Sequence, residues 1–162
     1  MPRARQAFDS TSIRILDVLQ DNSEISNAEL ADVVGLSPSP CWRRVAELKA
    51  QGVVRASVAL VDPLALGLAV NVFVHVSLKH QDKPSLEIFD TAIRERPEIM
   101  ECYLMSGESD YLLRVVVEDL IKFQEFITEV LTRIPVVANI RSSFALSQVK
   151  YTTALPTGHL TR

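Results

Sequence analysis

The feature that most restricts the fold is a change of hydrophobic period partway along the chain. Over residues 68–78, Leu68, Val70, Val72, Val74, Val76 and Leu78 alternate with Ala69, Asn71, Phe73, His75 and Ser77. A period of two places the aliphatic set on one side of a strand, and that side must be buried against another layer. Residues 9–52 have the opposite habit, with apolar residues three and four apart between helix start and stop signals. A chain of 162 residues has room for one ordinary domain or two small ones. The two periods therefore divide it into a small helical domain, expected over 1–61, and an α+β domain, expected over 62–162.

In the first part, Ile13, Leu16 and Leu19 form an apolar stripe behind Asp9 and Ser10, two candidate N-caps. Ser26-Asn27-Ala28-Glu29 fits a capping box, in which the Ser oxygen and the Glu carboxylate each satisfy an exposed backbone N–H. Gly35 can take the left-handed conformation that closes this second helix. Ser37 then supplies an N-cap, with Pro38 at the first helical position. On the third helix Cys41, Val45 and Leu48 recur on one side, so Ser39, Arg43, Ala46 and Glu47 point away, with Trp42 flanking and Arg44 nearer the core edge. Gly52 ends the helix, and the β-branched stretch 53–61 is expected to form a two-stranded wing before the Asp62-Pro63 turn.

The second part continues with a helix carrying Leu86, Phe89 and Ile93 and stopped by Pro97. A hairpin of 99–105 and 111–117 follows, its turn at Ser106-Gly107-Glu108-Ser109-Asp110. A helix with Leu120, Phe123, Ile127 and Leu131 ends at Pro135, and a last strand runs over 137–146. The order is βαββαβ, a ferredoxin-like arrangement with both helices on one side of an antiparallel sheet. Two helices leave the other side of the sheet uncovered, so at least a dimer is expected.

Charge and motifs exclude several functions. Lys and Arg number 17 against 20 Asp and Glu, a formal charge of −3, so any contact with DNA must be local. Residues 37–55 do carry Arg43, Arg44, Lys49 and Arg55 against Glu47 alone, a local charge of +3. The N-terminus lacks the apolar segment of a secretory signal and no run is long enough to span a bilayer, so a cytoplasmic protein without membrane attachment is expected. Cys41 and Cys102 have neither CxxC nor zinc spacing and read as reduced thiols. His75, His80 and His159 occupy no metalloprotease or nucleophile-elbow context, and no phosphate-binding glycine motif is present. No enzyme activity, cofactor or metal is expected.

A tight Gly35 turn before a helix with small polar residues and two arginines suits a helix-turn-helix, about 27–46, whose second helix enters the major groove. Arg43 can make bidentate bonds to guanine, the Ala46 methyl can meet thymine, and the helix start offers N–H groups to a phosphate. A three-helix unit of this kind also serves protein contacts, which leaves a small-molecule-binding or protein-interaction module without DNA binding as the alternative. In the hairpin turn, Gly107 permits close backbone approach beside the Glu108 and Asp110 carboxylates, although Ser, Gly and Asp are also ordinary turn residues.

These stretches resemble a known family. NAELADVVG at 27–35 and LSPSPCWRRV at 36–45, followed by Gly52-Val53-Val54, Asp62-Pro63, Gly67, SGESDYLLRVVVEDL at 106–120 and Val149-Lys150-Tyr151-Thr152-Thr153 with Leu155-Pro156, are similar to the Lrp/AsnC transcriptional regulators over almost the whole chain. The resemblance implies a winged helix-turn-helix that binds double-stranded DNA. It also implies a βαββαβ domain that senses a small effector such as an amino acid and dimerises, with assembly to a tetramer or octamer in some members. It assigns the DNA contacts to Ser37, Pro38, Ser39, Trp42, Arg43, Arg44, Lys49 and Arg55. The effector site falls to Ser106, Gly107, Asp110 and Tyr111, closed by Thr152 and Thr153 of the same or a neighbouring subunit. Three positions depart from the family pattern: Ser12 stands for an acidic residue, Glu24 for an arginine and Val136 for a glycine. The first two bear on ion pairing in the DNA-binding domain, and the third on the start of the last strand.

Overall fold

A computed structural model of the chain describes residues 8–160. They divide into two compact units, residues 8–59 with 150–160, and residues 60–149. The closing segment thus groups with the helical unit even though it follows the last strand of the sheet.

The first unit holds α1 (Ser10–Asp21), α2 (Asn27–Val34) and α3 (Pro38–Ala50). Their boundaries are where the capping chemistry puts them. Asp9 accepts the Ser12 N–H at 2.7 Å, and Ser26 and Glu29 exchange both bonds of the capping box. Gly35 closes α2 at φ 71°, a conformation that a side chain would disfavour. Ile15, Leu30, Ala31, Val34, Cys41 and Leu48 form the core. The closing segment is tied to α1: Gln20 donates Nε2 to the Leu155 carbonyl at 3.3 Å and accepts the Leu155 N–H at 2.7 Å, and the Thr157 hydroxyl bonds Asp17 at 2.7 Å.

The strands expected over 53–61 do not form. Val53 and Val54 turn back and donate to the Leu48 carbonyl, and residues 55–62 form neither helix nor strand. β-branched composition favours an extended backbone, but a strand exists only when a second one accepts its hydrogen bonds.

The second unit has the order β1 (Val70–Leu78), α4 (Lys83–Ile93), β2 (Ile99–Leu104), β3 (Tyr111–Val117), α5 (Leu120–Glu129) and β4 (Val137–Phe144). The sheet order is β2-β3-β1-β4, antiparallel throughout, so β3 lies between β1 and β2 as in a split βαβ unit. Val72, Val74 and Val76 are fully buried with Leu113, Val115, Phe89 and Leu131 beneath the helices. Helix α4 stops at Ile93, four residues short of Pro97, and α5 passes into a 3-10 turn at Leu131–Arg133. The last strand begins at Val137 as expected and stops at Phe144 rather than at 146.

The opposite side of the sheet is mixed rather than plainly apolar. Phe73, Leu112 and Val116 share it with an ion pair of Arg114 to Glu101 at 3.0 Å. Asn71 accepts from Arg114, and the Tyr103 hydroxyl donates to Glu101 at 2.6 Å. Tyr103 first, and then Arg114, hold the Glu101 carboxyl below its ordinary value.

Candidate recognition helix and effector loop

The start of α3 is held against the start of α2 by one bond, from Asn27 Nδ2 to the Pro38 carbonyl at 2.9 Å. With Gly35 fixing the turn, that bond sets the attitude of α3. Cys41 and Leu48 are buried on its inner side, while Ser39, Arg43, Glu47 and Lys49 are exposed and Trp42 is 65% exposed.

The two arginines have separate roles in the fold. Arg44 donates to Asp9 at 2.6 Å and to the Ser12 hydroxyl at 3.2 Å, joining α3 to the cap of α1. Ser12, through its side chain and backbone N–H, holds the Asp9 carboxyl below its ordinary value, and Arg44 adds to this. The hydroxyl that stands for an acidic residue at position 12 therefore still receives the guanidinium. Arg43 makes no hydrogen bond or ion pair to the described residues and extends from the outer side of the helix.

Ser37 takes the N-cap conformation, but its side chain makes no capping bond. The reason lies in the next three residues. Pro38 and Pro40 have no N–H, and the third-position N–H is the one a capping serine commonly takes. The helix start therefore offers a phosphate the Ser39 N–H and two serine hydroxyls, fewer backbone donors than an ordinary helix N-terminus. Arg55 is exposed in the irregular segment beyond the helix.

The loop between β2 and β3 is anchored on three sides. The Asp110 N–H donates to the Val76 carbonyl at 2.9 Å, and the Met105 N–H donates to the Asp110 carbonyl at 2.8 Å. The Asp110 carboxylate, 7% exposed, accepts the Leu78 N–H at 2.7 Å through Oδ2. Ser109 Oγ lies 3.2 Å from His75 Nδ1, and Glu108 pairs with Arg141 at 3.4 Å. Ser106 is exposed, and Gly107 has φ 140° with no atom within 4 Å of where a Cβ would stand. Glycine is thus required there by backbone conformation, and the space beside it is open.

Tyr111 runs the other way. Its ring is 2% exposed, packs on Phe89 at 4.4 Å and donates its hydroxyl to Asp90 at 2.8 Å under α4. Burial first, then Asp90, push its phenol upward. Thr152 and Thr153 are exposed in the closing segment of the first unit, where the Thr152 hydroxyl accepts the Ala154 N–H.

Comparison with known proteins agrees with this arrangement at both ends. Residues 8–55 match the winged helix-turn-helix DNA-binding family, and residues 71–155 match the Lrp/AsnC ligand binding domain. The chain belongs to the Lrp/AsnC family of DNA-binding transcriptional regulators. Among its relatives, the Bkd operon transcriptional regulator of Pseudomonas aeruginosa is 42% identical over 92% of this chain and 97% of its own. The DNA-binding transcriptional activator DecR of Escherichia coli is 36% identical over 92% and 98%. The fold is similar to that of the Neisseria meningitidis transcriptional regulator NMB0573 in its complex with L-Met. That likeness has a TM-score of 0.91 and 40% identity, and covers 95% of this chain and 99% of that one.

Within this Lrp/AsnC chain, three structural features were not drawn from the residue pattern: the Arg44 to Asp9 link, the Asp110 staple to β1, and the pairing of Tyr111 with Asp90. Asp90 carries no local signal, because on a helix that also bears Glu87 it reads as a solvated acid. Among the described residues there is no cluster of His, Cys, Asp or Glu able to hold a metal ion, and no helix is long and apolar enough to cross a membrane.

Proposed function

We propose that this chain is a cytoplasmic, non-enzymatic regulator of amino-acid metabolism or transport that binds double-stranded DNA as a homodimer or a larger assembly of dimers and is modulated by an amino acid. The observation that carries the reading is the unpaired Arg43 on the outer side of α3, beside an Arg44 already spent on Asp9. In this reading Arg43 reads a base edge. Ser37, Ser39, Lys49 and Arg55 meet phosphates, Pro38 shapes the helix start, and Trp42 packs on the sugar-phosphate backbone. Arg44 positions the helix.

Dimerisation is supported by apolar residues of the second unit that are left in water. Leu60, Val61, Leu64 and Leu66 are all more than 60% exposed in the single chain, apolar surface of the kind that a second copy covers. A twofold pair also presents two recognition helices to half-sites a whole number of DNA turns apart.

For the effector, we assign the site to Ser106, Gly107, Asp110 and Tyr111, with Thr152 and Thr153 contributed by the same or a neighbouring subunit. Support comes from the open space at Gly107, from the Asp110 Oδ1 oxygen that takes no hydrogen bond from the described residues, and from the L-Met held by the Neisseria protein. Backbone N–H groups of the loop take the ligand carboxylate and Asp110 its ammonium. Tyr111 contributes by fixing the strand end on which the loop rests.

The test is a titration of operator duplex at several salt concentrations, with and without each of the twenty amino acids. A DNA-binding dimer loses affinity steeply with salt as phosphate contacts release counterions. Absence of duplex binding at low salt overturns the DNA reading, and operator affinity unmoved by every amino acid overturns the effector.

A further inference from the structure

The two helices do not cover the whole of their side of the sheet. Edge strand β2 turns Cys102 and Leu104 toward the helix layer, in register with Leu113 and Tyr111, yet Leu104 remains 63% exposed. Between β2 and α4 lies a cleft of about 360 Å³, within the range of small-molecule sites. Its apolar wall is Leu86 and Ile93 of α4 with Leu104 of β2, and its polar groups are Asp90 and Arg94.

Asp90 and Arg94 stand one helical turn apart, on the side of α4 that faces the cleft, and no ion pair joins them among the described residues. Residues at i and i+4 have Cβ atoms ~5–6 Å apart. One anion and one cation lining the same apolar cleft complement the ammonium and carboxylate that an α-amino acid carries on one carbon. Asp90 is held in place because the Tyr111 hydroxyl donates to its Oδ1. The ring of Tyr111 in turn is locked against Phe89. One carboxylate is thus oriented by a buried phenol, while Arg94 is exposed and makes no ion pair among the described residues.

The cleft also holds the Cys102 thiol, which burial first and then Asp90 push up to about 11. It is neutral at physiological pH, so it adds to the apolar wall rather than to the charge. A peptide offers only one of the two end charges within such a span, a sugar offers neither, and a nucleotide needs more cationic groups than the single arginine.

We propose that the α4–β2 cleft is a second amino-acid site, which takes a free aliphatic α-amino acid with its ammonium on Asp90, its carboxylate on Arg94 and its side chain against Leu86, Ile93 and Leu104. This goes beyond the loop site proposed above: the two share Tyr111, whose hydroxyl orients Asp90, but no charged residue, since the loop uses Asp110. Occupation of the cleft ties α4 to edge strand β2, two elements otherwise joined through β3.

The test uses the full chain with L-leucine as the probe, followed by calorimetry and, at about pH 9 where a larger share of the Cys102 thiol is ionised and leucine keeps most of its ammonium, by alkylation of Cys102 with iodoacetamide. Cys41 is buried and Cys102 exposed, so alkylation reports the cleft. Saturating leucine is expected to slow Cys102 alkylation at least fivefold, and Arg94→Gln, at an exposed position, to raise the leucine concentration needed for half of this protection at least tenfold. Leucinamide, without a carboxylate, and 4-methylpentanoate, without an ammonium, are each expected to need at least tenfold higher concentration than leucine for half protection. Leu104→Trp fills the cleft from an exposed edge and should abolish protection without unfolding the chain. Gly107→Val, which acts on the loop, should leave protection intact. Alkylation unaffected by leucine at millimolar concentration, or protection that survives both Arg94→Gln and Leu104→Trp, overturns the proposal. Protection removed by Gly107→Val alone assigns leucine to the loop and overturns it as well.

Discussion

Arg44 and Asp9 are joined at 2.6 Å across 35 positions of sequence, so the recognition helix is braced against the first residue outside α1. Adjacent arginines on one helix thereby differ in kind, one spent within the fold and the other offered to the solvent. Replacing Arg43 by Ala should weaken operator binding by ~1–3 kcal/mol if it reads a base, with the melting temperature unchanged. Arg44→Ala should instead lower the melting temperature and weaken binding to all duplexes alike. Fluorescence anisotropy on operator and scrambled duplexes, beside thermal melts, separates the two. Wild-type operator affinity in a folded Arg43→Ala protein would refute the assignment.

The same pair has a pH dependence of definite sign. The Asp9 carboxyl titrates below its ordinary value in the folded chain, so its contribution is present above the unfolded carboxylate pKa and is lost as pH falls through the folded one. The stability difference between wild type and Asp9→Asn should therefore be constant near neutrality and shrink on acidification below about pH 4, the ordinary carboxylate range. Denaturant titrations at neutral and acidic pH measure it, and a difference that grows on acidification would contradict the ion pair.

Asp110 is a structural residue as well as a candidate ligand. Its carboxylate satisfies the N–H of Leu78, which is itself buried, so Asp110→Ala strands a donor and should destabilise the second unit by ~1–3 kcal/mol. Asp110→Asn keeps an acceptor oxygen while removing the charge. It should recover much of that stability and still fail to bind an amino acid at the loop. Thermal melts and calorimetry on both variants check this, and loop binding retained by Asp110→Asn argues that the ammonium goes elsewhere.

Gly107→Val should be costly for conformation rather than for crowding, since φ 140° suits glycine and nothing within 4 Å meets the added carbon. A strain of ~1–3 kcal/mol is expected, relieved by distortion of the loop and with it loss of effector binding there. Operator affinity without effector should stay at the wild-type value. In the wild type, an amino acid that weakens operator binding tenfold must itself bind the DNA complex tenfold more weakly, about 1.4 kcal/mol. Unequal factors in the two titrations would mean that the loop ligand and the DNA are not linked through one equilibrium.

Leu60 and Leu64 are each more than 60% exposed in the single chain. Changing both to Asp should convert a dimer to a monomer at micromolar concentration, with cores that hold none of these residues left intact. Sedimentation velocity reads the outcome. Wild type that sediments as a monomer while still binding operator defeats the dimer reading.

The residue pattern by itself determined the element types and most of their ends, because those depend on interactions within about four residues. The Ser26 to Glu29 box, the Asp9 cap, the Gly35 turn and the alternation of Val72, Val74 and Val76 are each complete within one short window. The βαββαβ order followed, and with it the sheet. What only the tertiary structure decided is which functional groups are free. Arg44 is engaged by a residue 35 positions away, Asp110 by one 32 away and Asp90 by one 21 away, separations over which periodicity carries no information. The two-stranded pairing expected over 53–61 is absent from the single chain for the same reason. The composition there suits a strand, but a strand is a property of two segments, and nothing local in 53–61 supplies the second.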